Sequence, residues 1–145
     1  MNAEERLEKK IFTAFETNIT VRPDDIDVNG HVHFSKYLDY LLAARYEQMK
    51  NNYKMSMEEF LQRGYTWVAT NINITYKRAI MLSDKVTVRA QIIDIKGAQV
   101  FLNFWILKGE NKKVAAEGNS IFSMVSTTNG RPARIPQDVI EKYAV

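Results

Sequence analysis

The stretch Ser35-Lys36-Tyr37-Leu38-Asp39-Tyr40-Leu41-Leu42-Ala43-Ala44-Arg45-Tyr46-Glu47-Gln48-Met49-Lys50 decides the fold. Tyr37, Leu38, Leu41, Leu42 and Tyr46, with small Ala43 and Ala44, form a broad apolar face at helical spacing. Ser35 is the expected N-cap. At 1.5 Å per residue the helix runs about 24 Å, long for a chain of 145 residues. Its apolar residues reach around much of the circumference, which predicts burial on more than one side.

Working outward, Ile11, Phe15, Ile19 and Val21 share one parity, the mark of an extended segment. This predicts a first strand that ends near Arg22-Pro23. Residues 1–10 read as a polar start, and Pro23–Gly30 as a loop. After the long helix, residues 57–62 predict a short second one, with Ser56 as cap, Glu59 at the capping-box position and Gly64 as terminator. The rest is strand pattern. Residues 65–76, 85–95, 99–108 and 113–126 are rich in Val, Ile, Thr and aromatics. Turn signals at Lys96-Gly97, Lys108–Asn111 and Asn129-Gly130 are short, so neighbouring strands should be antiparallel. Pro136 introduces a short helix over 137–143. Strand, long helix, four strands: the expectation is an α+β fold, one five-stranded antiparallel sheet covered by a helix, in a single domain over 1–145.

Composition narrows the functions. Hydrophobic residues make up 46% and charged residues 26%, as in a soluble globular protein. Lys and Arg exceed Asp and Glu by only 3, with the signs interspersed, so nucleic acid is not expected as a partner. There is no cysteine, which excludes disulfides, thiolate nucleophiles and Cys-based zinc sites. His31 and His33 are the only histidines, too few ligands for a metal site. No apolar run reaches the 18 residues of a membrane span. A cytoplasmic protein is expected.

One segment concentrates ionisable groups beside a glycine at a strand–helix junction: Asp25-Ile26-Asp27-Val28-Asn29-Gly30-His31-Val32-His33-Phe34. Asp27 is a candidate nucleophile or general base. Asn29 and His31 are candidate polarising or orienting groups. The helix beginning near Ser35 offers free backbone N–H groups and the positive end of its dipole to a developing oxyanion. A carboxylate facing a helix N-terminus suits acyl transfer to water. The same residue types also build ordinary loops and caps.

The run Asp25-x-Asp27-x-x-Gly30-His31-Val32, followed by Tyr37, Tyr40 and Ala44-Arg45-x-Glu47, resembles the hotdog-fold acyl-CoA thioesterases of the 4-hydroxybenzoyl-CoA thioesterase family. Asn73–Arg78 with Ser83–Val86, and Asn129–Pro136, are similar to later parts of that family, so the likeness runs from about Thr17 to Ile140. It implies a hotdog fold, an antiparallel sheet wrapped around a central helix. It also implies a homodimer paired edge to edge, often assembled into a homotetramer, with active sites between subunits. Residue by residue, it implies Asp27 as the catalytic carboxylate, Gly30 as the glycine that lets the loop approach the thioester, and the Phe34 backbone N–H as donor to the thioester oxygen. The same run is similar to the plant acyl-ACP thioesterases, which brings Asn29 and His31 into the implied catalytic network.

The chain departs from these families at Leu42 and Ala43, where many members carry a helix glutamate. Asp39 and Glu47 lie elsewhere on the helix and read as a solvated face. Lys77, Arg78 and Arg89 are candidates for the phosphates of coenzyme A. Trp67, Phe101, Phe104, Trp105 and Phe122 read first as core or contact residues. The expected activity is hydrolysis of an acyl-CoA, with no cofactor beyond the coenzyme A of the substrate. An acyl-ACP thioesterase, a non-catalytic acyl-thioester-binding module and a hydratase remain as alternatives.

Overall fold

The computed structural model describes all residues, Met1–Val145. After a first helix α1 (Ala3–Lys9), the chain forms β1 (Ala14–Ile19), a 3₁₀ turn (Pro23–Asp25), α2 (Lys36–Asn51) and α3 (Met57–Gln62). Four strands follow, β2 (Tyr65–Tyr76), β3 (Val86–Lys96), β4 (Gln99–Lys108) and β5 (Lys113–Ser126), then α4 (Gln137–Tyr143). The five strands make one sheet in the order β1-β3-β4-β5-β2, and every neighbouring pair is antiparallel. The α+β arrangement expected from the sequence is present. No helix is long and apolar enough to cross a membrane.

α2 carries the chain from the β1 edge toward the opposite edge, where β2 lies. Tyr37, Tyr40, Leu41, Ala44, Arg45, Gln48 and Met49 are its buried residues, spaced by three and four. They meet a sheet face on which Val88, Ala90, Leu102, Phe104 and Ile106 have at most 1% exposure. Alternation along β4 explains this: Val100, Leu102, Phe104 and Ile106 point inward, while Phe101 and Trp105 stay half-buried on the outer face. Truncating Phe104 to alanine would cost about 3–5 kcal/mol.

Four local expectations are corrected. Residues 1–10 are largely helical: the Asn2 side chain accepts the Glu5 N–H at 2.9 Å and caps α1. Ser35 does not cap α2. It has helical backbone angles, and its N–H donates to His33 Nδ1 at 3.2 Å, so the imidazole performs the capping. Ile11 lies outside β1 and is exposed, while Phe12 turns into the core. α2 also buries only one face against its own chain: Leu42 and Tyr46 are exposed. The spans predicted for α3, β2, β4, β5 and α4 match, and Ser56 Oγ accepts the Glu59 N–H as expected.

Candidate active site

The loop before α2 closes on itself. Asp27 N–H donates to the His31 carbonyl at 2.8 Å, Gly30 N–H donates to the Asp27 carbonyl at 3.0 Å, and Ile26 bridges Val32. Gly30 supplies a left-handed φ of +77°, which a side chain would strain. A Cβ there would meet nothing within 4 Å, so backbone angle rather than crowding calls for glycine within this chain. The loop is then tied outward. Val32 N–H donates to the Ile80 carbonyl and His33 N–H to the Asp25 carbonyl, each at 2.8 Å.

Asp27 is half-buried at the mouth of this loop. Its Oδ1 accepts the Asn29 N–H at 2.9 Å and the His31 N–H at 3.4 Å. Oδ2 has no hydrogen-bond partner in the chain. Asn29 and His31 therefore hold the carboxylate through their backbones. The His31 ring lines the pocket beside Asp27, whereas the Asn29 side chain is exposed and does not.

The pocket measures about 320 Å³ and is walled by Asp27, His31, Phe34, Tyr37, Tyr76 and Arg78, with Lys77 beside them. The Phe34 N–H has no acceptor anywhere in the chain. It sits one residue after the imidazole cap, at the positive end of a 16-residue helix. One wall thus carries a free carboxylate oxygen and another a free N–H donor. Lys77 and Arg78 bring positive charge to the same rim. Lys77 is shared with Glu117 at 3.0 Å, and Arg78 donates one N–H to the Val114 carbonyl at 2.6 Å. Arg89 is elsewhere: it forks onto Glu16 Oε2 at 2.9 and 2.6 Å across the β1–β3 ladder.

Several residues that shape the site were not singled out for a role by sequence reading. Asp25 is 5% exposed; its Oδ2 accepts the Tyr40 hydroxyl at 2.7 Å and the Arg22 N–H at 2.9 Å. Burial, and then this bond to Asp25, push the Tyr40 phenol above its usual value. Tyr76 donates to the Phe34 carbonyl at 3.0 Å, and Tyr37 to the Arg78 carbonyl at 3.3 Å. The available signal was the i, i+3 spacing of Tyr37 and Tyr40, which aims both back along α2 toward its start.

A second cavity, about 290 Å³, lies farther along α2. Leu42, Arg45, Tyr46 and Met49 wall it from the helix, Trp67 and Ala69 from β2, and Phe122 from β5. Trp67 and Phe122 are thus cavity walls as well as core contacts. Asp39 pairs loosely with Lys36 at 3.8 Å, and Glu47 is exposed, the solvated face expected of both.

Comparison with known proteins agrees with this architecture. A match to the thioesterase-like superfamily spans residues 21–143. The long-chain acyl-CoA thioesterase FadM of Escherichia coli K12 is 28% identical over 127 residues, 88% of this chain and 95% of that protein. The solved structure of YbaW, a probable thioesterase of Escherichia coli, superposes with a TM-score of 0.76 at 26% identity, over 90% of this chain and 98% of that one. A Staphylococcus aureus protein solved in complex with CoA superposes with a TM-score of 0.82 at 22% identity, over 92% of this chain and 84% of that one. The fold is the hotdog the motif resemblance implied. The match is to the superfamily as a whole and does not single out the 4-hydroxybenzoyl-CoA branch. On these grounds the chain belongs to the thioesterase-like superfamily, and its enzyme class is thioester hydrolase.

Proposed function

We propose that the chain hydrolyses long-chain acyl-CoA at the pocket beside Asp27. The observation that carries this reading is the pairing, around one pocket, of an unengaged carboxylate oxygen and an unengaged helix-start N–H. The long-chain class rests on the likeness to FadM.

In this reading the thioester oxygen accepts from the Phe34 N–H. Asp27 Oδ2 then acts in one of two ways. It adds to the carbonyl carbon and expels the coenzyme A thiolate, leaving an anhydride that water opens. Otherwise it takes a proton from water as that water adds, and the proton passes to the departing sulfur. Both routes end in free acid and thiol. The negative charge that grows on the carbonyl oxygen meets a donor and dipole already in place, so little reorganisation is needed. With Leu42 and Ala43 at the positions of the helix glutamate, Asp27 is the single carboxylate assigned to the chemistry. Lys77 and Arg78 sit where the phosphates of coenzyme A would arrive, on the rim of the same pocket.

The reading includes a homodimer. β2 is a 12-residue strand paired only with β5, and its other edge is open. A long bare edge of this kind is normally covered. Side-by-side pairing of two β2 strands covers it and brings the two copies together beside Tyr76, at the pocket.

The test is thiol release from a series of acyl-CoAs by the wild type and Asp27→Asn. Turnover should fall about 10²–10⁴-fold in the variant, the usual worth of a positioned acid–base group. Equal rates in the two proteins, or no release from any acyl-CoA, would sink the proposal. Matched acyl-ACP substrates should be turned over less well than acyl-CoA; the reverse would move the enzyme to the carrier-protein class.

A further inference from the structure

The chain's surplus of positive charge is gathered at one end. Residues 77–85, between β2 and β3, and residues 108–113, around the β4–β5 turn, hold Lys77, Arg78, Lys85, Lys108, Lys112 and Lys113 against Asp84 and Glu110. That surplus of four exceeds the surplus of three for the whole chain, so the rest of the molecule is net acidic. The two segments form one surface. Gly109 N–H donates to the Lys85 carbonyl at 2.8 Å, and Lys108 Nζ donates to the Ala79 carbonyl at 2.6 Å. Adding Glu16, Arg89 and Glu117, the strand residues tied to this surface, still leaves a surplus of three. Arg78 binds a carbonyl rather than a carboxylate, and Lys113 is exposed.

At the tip of the first segment two large apolar side chains face solvent. Ile80 is wholly buried and anchors the connection, but Met81 and Leu82 beside it are 42% and 50% exposed. The backbone there is fixed. Asp84 N–H donates to the Met81 carbonyl at 3.0 Å, and Met81 N–H donates to Asp84 Oδ2 at 2.7 Å. The turn therefore holds the pair out among the cations. It also adjoins the mouth of the pocket. The Ile80 carbonyl accepts the Val32 N–H of the Asp27 loop, and Lys77, Arg78 and Ala79 line the pocket itself. Val28, fully exposed, stands next to Asp27 on that loop. Singly scattered apolar side chains are ordinary on a protein surface. These three flank one opening within a basic surface.

We propose that this end of the molecule docks on an anionic bilayer surface, with Met81 and Leu82 entering the headgroup layer and the lysines facing lipid phosphates, so that the pocket opens onto the membrane. Basic side chains near an anionic leaflet, and apolar ones set into its interface, are the two contributions that hold a protein on a membrane it does not cross. A convex turn suits a headgroup layer, whereas a protein partner needs a complementary face of about 800 Å². The inference rests on the thioesterase reading only for its use. A long-chain acyl-CoA is an amphiphile that collects in bilayers with its coenzyme A at the surface, and a docked enzyme meets it there.

Flotation of the full chain with vesicles tests the surface without turnover. The wild type should float with vesicles of phosphatidylcholine and phosphatidylglycerol in equal parts, and stay behind with phosphatidylcholine alone. The double variant Met81→Ser, Leu82→Ser should lower the partition about tenfold. The double variant Lys85→Gln, Lys113→Gln should lower it about fivefold per charge removed. All four side chains are exposed and outside the pocket, so both variants should keep the wild-type Tm and the wild-type rate on a short-chain acyl-CoA. Equal flotation with the two kinds of vesicle, or of the Met81→Ser, Leu82→Ser variant and the wild type, would overturn the proposal. So would a wild type that ignores vesicles while the same variant changes the sedimented mass, the sign of a face between copies, or loses binding to an acidic carrier protein. If vesicles bind while no acyl-CoA is hydrolysed, the thioesterase reading fails and the docking surface stands. Hydrolysis without flotation keeps that reading and removes this one.

Discussion

Asp25 and Asp27 stand two positions apart in one loop, and their surroundings separate their roles. Asp27 keeps one oxygen free toward the pocket, while Asp25 is buried and bonded to Tyr40 and to the Arg22 backbone. Asp25 thus joins the loop to the first turns of α2, and its carbonyl holds His33. Removing the Tyr40 hydroxyl leaves a buried carboxylate short of a donor. Tyr40→Phe should lower unfolding stability by about 1–3 kcal/mol in urea titrations. Because the same bond positions the loop, kcat should fall with little change in KM. Asp25→Asn should instead keep much of the stability, since an amide oxygen still accepts from Tyr40.

At the scale of elements, two close cross-strand contacts make separate predictions. Glu16 and Arg89 face each other across β1 and β3, and Lys112 reaches Glu16 from the turn between β4 and β5 at 2.6 Å. The bonds from Lys112 and then Arg89 lower the Glu16 carboxyl below its usual 4.5. A lowered carboxylate contributes stability that is complete above its unfolded value and is lost as pH falls through the folded one. All three side chains are partly exposed, so the network should be worth less than about 1 kcal/mol at neutral pH. The stability gap between wild type and Glu16→Gln should close as pH is taken below 4.5 in thermal melts. Gly118 on β5 is the opposite case, set by space alone. A Cβ there would lie 1.8 Å from the Asn73 carbonyl oxygen on β2. Gly118→Ala should therefore force β2 and β5 apart and cost several kcal/mol, with soluble yield and Tm as the readouts, whereas Gly97→Ala meets only backbone strain.

For the whole molecule, the open edge of β2 and the exposed Leu42 and Tyr46 are the outstanding features. If two β2 strands pair, sedimentation should give about twice the 16.8 kDa chain mass at micromolar concentration. A proline at Ile72, inside β2, should lower that mass and the activity together, since a strand interior cannot spare the ladder donor. Loss of both would tie assembly to the pocket beside Tyr76. A monomeric wild type with full activity would separate them.

Much of the fold was legible along the chain because it is written in local patterns. Runs rich in Val, Ile, Thr and aromatics between turn signals set β2, β4 and β5, the Ser56–Glu59 pair started α3, and the tight turns made the strands antiparallel. α1 escaped because it is short and fully buries no residue: its apolar face is only Ala3 and Leu7, which pack against the core, and its cap is the single Asn2 side chain. The cap of α2 escaped because an imidazole replaced the usual hydroxyl. The composition of the loop before α2 was also legible, since a carboxylate and a glycine before a helix start are adjacent in sequence. What only the tertiary structure decided is which atoms of those residues are free. The backbones of Asn29 and His31 hold Asp27, and Tyr40 claims Asp25. Periodicity tells which face of an element is buried, but whether a buried polar group finds a partner depends on segments distant in the chain that the fold alone brings together.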